Sequence, residues 1–344
     1  MSDAPASPAR RRGGRVVRVL VPLLGLGLLA FLLHRTGWRE LEQAFRRIGW
    51  PTFTALVLLG AVEQVIDCEA LRRAMLGRVG LGWTMAANAA GGLVNTVVPF
   101  EAGEVVKGAL LRQRSTHSRV VSGLIVWNYA WKLAKPAAVA TCFVVGIAVG
   151  NGFGKELQLP VLGGVALSFL PYLALRLLIR QRPAERLMRL LARVPRLKQR
   201  AQGGVQAAAR LDGEVHSFWE HHPAAYLTVL GLTYVGRFVG VLALYLFARR
   251  LGLPTDPGSL AFLYAAQTVV DYAAMLLPAR VGLSEGSAYL LYQALGLDPA
   301  LALVMAITIR ARSLLVQGPL AIWAYVAGAR TDGPDQADRS ANSS

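Results

Sequence analysis

The sequence predicts an all-α polytopic membrane protein, built as an inverted repeat with two re-entrant helical hairpins. Three observations lead there. The 344-residue chain is 54% hydrophobic and only 17% charged, with a mean hydropathy of +0.42. Soluble domains are usually near a quarter charged, and several apolar runs here reach the roughly 20 residues that cross a bilayer. Two stretches then place Pro, Gly and ionisable groups together inside apolar sequence: GGLVNTVVPFEAGEVVKGALLRQRSTHSR at 91–119 and PARVGLSEG at 278–286. Charges near hydrocarbon are costly and ask for a functional reason, and Pro with Gly suggests helices that break there. Finally, the layout around the two stretches repeats.

Residues 1–18 carry Arg10, Arg11, Arg12, Arg15 and Arg18 and read as a basic, poorly ordered cytoplasmic tail. The single transmembrane domain spans 19–328. Its first apolar core, 19–33 with Val16 and Val17 before it, is followed by His34-Arg35-Thr36-Gly37-Trp38. No small-residue cleavage site follows it, so it reads as a retained span and not a signal peptide. Residues 34–50 form an amphipathic connector with Trp38 and Trp50 at interfacial depth. A second span over 53–70 opens after Pro51, a residue suited to a first helical turn, and carries Glu63, Gln64 and Asp67. Residues four apart share a helical face, and a face with two carboxylates should point into the bundle.

Residues 81–99 contain Asn88, Gly91, Gly92 and Asn95 among alanines. Small residues permit close helix contact, and the asparagines can bond to backbone exposed by a break. A short helix over 103–114, too short to span, completes a re-entrant arm and ends in Arg112 and Arg114. Residues 118–150 accommodate one long crossing with Lys132, Lys135 and Pro136 near its middle. A loop over 151–156 leads to a returning span at 157–179, interrupted by Pro171. The linker 180–222 has eight Arg or Lys and one Glu between positions 180 and 200. Leu187, Leu190, Leu191, Val194 and Leu197 recur at helical spacing, as in a basic amphipathic helix on anionic inner-leaflet lipid.

The second half begins with a span at 225–247. A Gln267- and Asp271-bearing segment follows, ending at Pro278, then an arm over 282–295 and a final segment at 299–328 containing Arg310 and Arg312. Residues 329–344 read as a disordered tail. Half one is about 51–150 and half two about 225–328. Pro99 and Gly103 sit 179 positions before Pro278 and Gly282, and Lys132 sits 178 before Arg310. With both termini cytoplasmic, the halves run in opposite senses, the arrangement of many secondary transporters. The hairpin-forming residues are then Gly91, Gly92, Pro99, Gly103, Pro278 and Gly282. Arg249 and Arg250 fall on the outside and count against that orientation.

The Pro-x-x-x-Gly-Glu-x-x-Lys pattern (Pro99, Gly103, Glu104, Lys107) and the later Pro-x-x-x-Gly-x-x-Glu pattern (Pro278, Gly282, Glu285) resemble the flippase-like membrane domain of lysylphosphatidylglycerol synthases. The resemblance covers roughly residues 15–328. Stand-alone relatives of that domain include a hopanoid-biosynthesis-associated membrane protein. It implies a bacterial inner-membrane, multi-pass protein that moves or handles a lipid or glycolipid. Only some fifteen residues follow the last span, which leaves no room for the synthase's soluble transferase domain, so lysine transfer to phosphatidylglycerol is not expected. The chain departs from the family at its second motif, where Ala279 and Arg280 stand in place of glycines.

A cavity between the halves would be lined by Glu101, Glu104, Lys107, Lys132, Lys135, Arg280, Glu285, Arg310 and Arg312. Arg grips a phosphate bidentately and Lys acts as a point charge, which suits an anionic or zwitterionic head group. Glu63, Asp67 and Asp271 are candidates for proton coupling, since buried carboxylates can have raised pKa values. The same charges would also serve as buried pairs that fix helix packing. Two other classes stand beside the transporter: a scaffold or regulator of a lipid-synthesis complex, and a membrane-embedded lipid-modifying transferase. No nucleophile–base pair or metal cluster supports the last, and no catalytic residue, metal or cofactor is assigned. The expected partners are a phospholipid, hopanoid or glycolipid, anionic lipid at 180–200, and a second copy through the Gly- and Ala-rich faces. Nucleic acid is not among them: a net charge of +17 suits cytoplasmic loops facing anionic lipid.

Overall fold

The computed structural model describes residues 46–97, 102–150, 152–180, 221–275 and 280–331, with isolated positions at 42, 205, 206, 209, 212, 213 and 218. The expected first span at 16–33 and, from 181 on, the basic helix at 180–200 lie outside those residues. Everything described is helical or turn.

Helix α1 (Trp50–Ala74) begins with Pro51 in its first turn, and the chain turns back after Arg72 and Arg73. α2 (Leu81–Val97) and α3 (Ala102–Leu111) are separate helices on either side of 98–101. α4 (His117–Ala148) is one continuous helix through Pro136, as expected of a single long crossing. A 3-10 turn leads to α5 (Gln158–Ser168), and α6 (Leu170–Arg180) resumes after a break at Phe169, just before Pro171. α7 (Pro223–Leu251) closes on Gly252, whose φ of 74° needs a residue at home in the left-handed region. α8 (Pro257–Met275), α9 (Arg280–Ala294) and α10 (Pro299–Thr331) complete the chain.

Three described stretches are long and apolar enough to cross a membrane: His117–Ala148, Lys155–Leu177 and Pro223–Leu251. Their outer faces carry exposed Val144, Leu167, Leu227 and Leu242, as lipid-facing surfaces do. α1 and α10 have similar length.

Glycine explains how closely these helices approach. A Cβ on Gly103 would lie 1.9 Å from the Gly91 carbonyl oxygen, so α2 and α3 touch backbone to backbone. The Gly103 amide donates to Asn95 Oδ1 at 2.6 Å, so an α2 side chain satisfies a free donor at the start of α3. A Cβ on Gly236 would meet Ile66 Cγ2 at 3.1 Å, which lets α7 lie against α1.

Packing joins the two halves in a crossed pattern. α1 packs on α7; α2 packs on α3 and α10; α8 packs on α9 and α4. One core joins Phe53, Leu56, Phe143, Phe247, Phe262 and Tyr292. A second joins Leu71, Met75, Trp83, Leu111, Val126 and Trp127.

The bundle has two distinct ends. At one, Trp83 Nε1 donates to the Leu110 carbonyl, Arg114 stacks on Trp83, Trp323 meets Trp83 edge-on, and Gly123 packs on Met75. The end of α1, start of α2, end of α3 and start of α4 are therefore together. At the other end, the Gly152 amide donates to Ser259 Oγ and Arg250 Nε to Thr52 Oγ1. The α2–α3 pair starts from the first end and the α8–α9 pair from the second. The first end carries Arg72, Arg73, Arg78, Arg112, Arg114 and Arg119 against Glu69; the second mixes Arg46, Arg47, Lys155, Arg249 and Arg250 with Glu42, Glu156, Asp256 and Asp298.

Candidate functional site: a charged and aromatic interior along α4

Two groups of charges lie inside the bundle. The first is a chain of ions across α1, α7 and α10. Arg237 is 8% exposed. Its Nη2 donates to Asp67 Oδ1 and Oδ2 at 2.5 and 2.7 Å, and its Nε donates to the Thr233 carbonyl. Its Nη1 lies 3.4 Å from Glu63 Oε1, while Arg312 Nη2 lies 3.3 Å from Glu63 Oε2. Glu63 and Asp67 share a face one turn apart on α1, as the sequence spacing predicts. Gly60, one turn earlier, leaves room for the Arg312 stem; a Cβ there would lie 3.1 Å from three Arg312 atoms.

The second group is on α3. Lys107 is 2% exposed; its Nζ donates to Glu104 Oε1 at 2.8 Å and sits 4.2 Å from the centre of the Trp127 ring. The two groups meet through α4, which presents Trp127, Trp131 and Lys135 at successive turns. Arg237 stacks over Trp131 at 6.0 Å. Lys135 Nζ lies between Trp131 at 5.1 Å and Tyr272 of α8 at 4.5 Å. Cations from α3, α7 and α4 thus rest on one aromatic strip, an arrangement worth more where water is excluded.

The strip differs from the ion chain in one respect. Both Asp67 oxygens accept from Arg237 Nη2. Along the strip, Glu104 Oε2, Trp127 Nε1 and Tyr272 OH are buried with no hydrogen-bond partner among the described residues. Buried polar atoms almost always have one, and each left bare costs about 1–3 kcal/mol.

Of the expected head-group residues, Glu104, Lys107 and Lys135 come together on this strip. Arg312 instead joins the ion chain with Glu63 and Asp67, so those two carboxylates are placed beside arginines. Lys132 and Arg310 are half-buried on α4 and α10, and Asp271 is exposed on α8. Arg280, Gly282 and Glu285 are in α9, with their side-chain environments outside the described residues; Pro99, Glu101 and Pro278 lie outside them altogether. The sequence reading left Arg237, Trp127, Trp131 and Tyr272 unassigned. An arginine in the middle of an apolar span is a readable signal for the first; the i, i+4 tryptophans ahead of Lys135 are a weaker one.

A helical bundle with ionised groups inside its apolar helices defines a polytopic membrane protein. Residues 16–321 match the family described as lysylphosphatidylglycerol synthase TM region, and the chain belongs to that family of flippase-like membrane domains. No curated protein and no solved structure matches it.

Proposed function

We propose that the protein is a bacterial inner-membrane lipid or glycolipid transporter, and that the strip along α4 receives the polar head group of its cargo. The observation that carries this reading is the incomplete satisfaction of the strip. A purely structural set of buried charges is stable when every member is paired. Glu104 Oε2 offers an acceptor and Trp127 Nε1 a donor, a combination that a head-group hydroxyl satisfies at once. Lys107 and Lys135 supply positive charge for a phosphate, while acyl chains remain in lipid.

The arrangement of the halves supports the reading. α1–α4 and α7–α10 follow the same order, and the packing of α2 on α10 is mirrored by that of α8 on α4. Pro136 and Pro319 lie inside corresponding long helices. The two short helix pairs start from opposite ends of the bundle. We infer an inverted repeat in which each pair is a re-entrant hairpin, the architecture in which broken helices meet at a midplane site. The positive-inside rule makes the arginine-rich end cytoplasmic. α10 finishes at that end, beside Trp83, which supports a cytoplasmic C-terminus.

The test is transbilayer movement of labelled phospholipid, glycolipid and hopanoid in vesicles containing the purified protein. Movement above that of empty vesicles for at least one class, lost in Glu104→Gln with the fold intact, is the expected result. Rates equal to empty vesicles for all three would remove the transporter reading and favour a scaffold role.

A further inference from the structure

A separate cavity of about 240 Å³ opens at the arginine-rich end, lined by Ala74, Met75, Leu76, Arg119, Ser122, Phe218 and His222. A water occupies about 30 Å³ in the liquid, so the space holds a group several times that size. Its floor is apolar: Ala74, Met75 and Phe218 are at most 6% exposed. Among the described residues its polar lining is a guanidinium, an imidazole and a hydroxyl. Glu69, an acid at this end, is already held by Arg72 and Arg73. Among the described residues the half-buried Arg119 guanidinium has no hydrogen bond or ion pair.

Two features of the backbone bear on the site. Leu76 sits at the cavity with φ of 56°, a conformation unusual for a residue with a Cβ, and is 41% exposed. Strained residues of this kind cluster at ligand sites. Arg119 and Ser122 belong to the first turns of α4, and His222 is the residue capping α7; neither helix start has a side-chain cap. Two positive helix ends add to the field of the basic side chains.

We propose that this cavity binds the phosphate of an anionic phospholipid of the basic leaflet. Arg119 and His222 hold the phosphate, the Ser122 hydroxyl, which donates to the Arg119 carbonyl oxygen at 3.2 Å, lines the wall beside them, and Leu76, Met75 and Phe218 face the glycerol and the first acyl carbons. The site is distinct from the strip along α4. It needs the membrane assignment but does not depend on transport.

The experiment uses the full chain in a neutral detergent, with bound lipid counted by native mass spectrometry and melting followed in parallel. The probes are short-chain phosphatidylglycerol, short-chain phosphatidylcholine and inorganic phosphate. Phosphatidylglycerol is expected to bind and raise the melting temperature. The Arg119→Ala/His222→Ala variant should lose one bound lipid and weaken apparent affinity at least tenfold, while Arg249→Ala at the opposite end matches wild type. Should that double variant not fold, Ser122→Asp, which adds one negative charge to the cavity, should give the same loss. Equal lipid counts in wild type and variants would overturn the site. Equal binding of phosphatidylcholine would overturn its preference for anionic lipid, and an equal effect of inorganic phosphate would overturn the lipid as its source. Glu104→Gln leaves this site intact, so failure here and failure of the transport reading are separable.

Discussion

Replacing Arg237 by Met should be the most destabilising single change in the ion chain. Arg237 is 8% exposed and neutralises two carboxylates, with Nη2 donating to both oxygens of Asp67. Without it, Arg312 remains 3.3 Å from Glu63, but Asp67 loses its two charged hydrogen bonds. Removing one member of a buried pair costs about 3–5 kcal/mol, and the full range is expected here. Asp67→Asn is milder, about 1–3 kcal/mol, because Arg237 keeps Glu63 at 3.4 Å. Removing both, Arg237→Met with Asp67→Leu, should cost less than Arg237→Met alone, since no bare charge is left. Reversible unfolding of the purified protein in mixed micelles titrated with a denaturing detergent measures all three. An Arg237→Met protein within about 1 kcal/mol of wild type would refute the reasoning, and so would strictly additive single changes, because contacting residues are expected to couple.

Further expectations follow from the geometry. Gly103→Ala should prevent α2 and α3 from closing, because its Cβ would lie 1.9 Å from the Gly91 carbonyl oxygen; Gly80→Ala, with nothing within 4 Å, should be silent, as yields of monodisperse protein will show. Asn95→Ala leaves the Gly103 amide without its 2.6 Å acceptor and should lower stability by about 1–3 kcal/mol in the same unfolding assay. Asp256 lies outside the membrane-spanning segments and accepts from the Ser259 amide at 2.7 Å, which holds its carboxyl below the usual value. A depressed folded-state pKa means that this cap stabilises above the ordinary aspartate value of about 3.9 and is lost as pH falls through the folded value. Asp256→Asn should therefore flatten the acid limb of a melting-temperature profile, and Asp256→Ala should cost about 1 kcal/mol at neutral pH.

Much of this architecture is readable in the sequence because the membrane imposes strong rules. Pro51 marks the start of α1, the 33 apolar positions at 118–150 become one helix, and the small residues around Gly91 and Gly103 become a close helix contact. The spacing of Glu63 and Asp67 shows that they share a face. It does not show which cation meets them, because Arg237 is 170 residues from Asp67 and Arg312 is 249 from Glu63. Only the packing of α1 against α7 and α10 decides that. Trp127 and Trp131 are hidden for a different reason. In a membrane chain, tryptophan usually signals interfacial depth, and its use as a stacking surface for Lys107 and Arg237 depends on the helices that pack around it. The cavity at Arg119 combines α1, α4 and the approach to α7, so no local motif carries it.

The central claim is that the bare polar atoms of the α4 strip await a head group. A high-resolution electron cryo-microscopy map of the protein in nanodiscs made with its native lipids tests this most directly. The account predicts amphiphile density with a polar group within hydrogen-bond distance of both Glu104 Oε2 and Trp127 Nε1, absent in Trp127→Phe. A strip closed by neighbouring side chains, or holding a single water in both proteins, would contradict it.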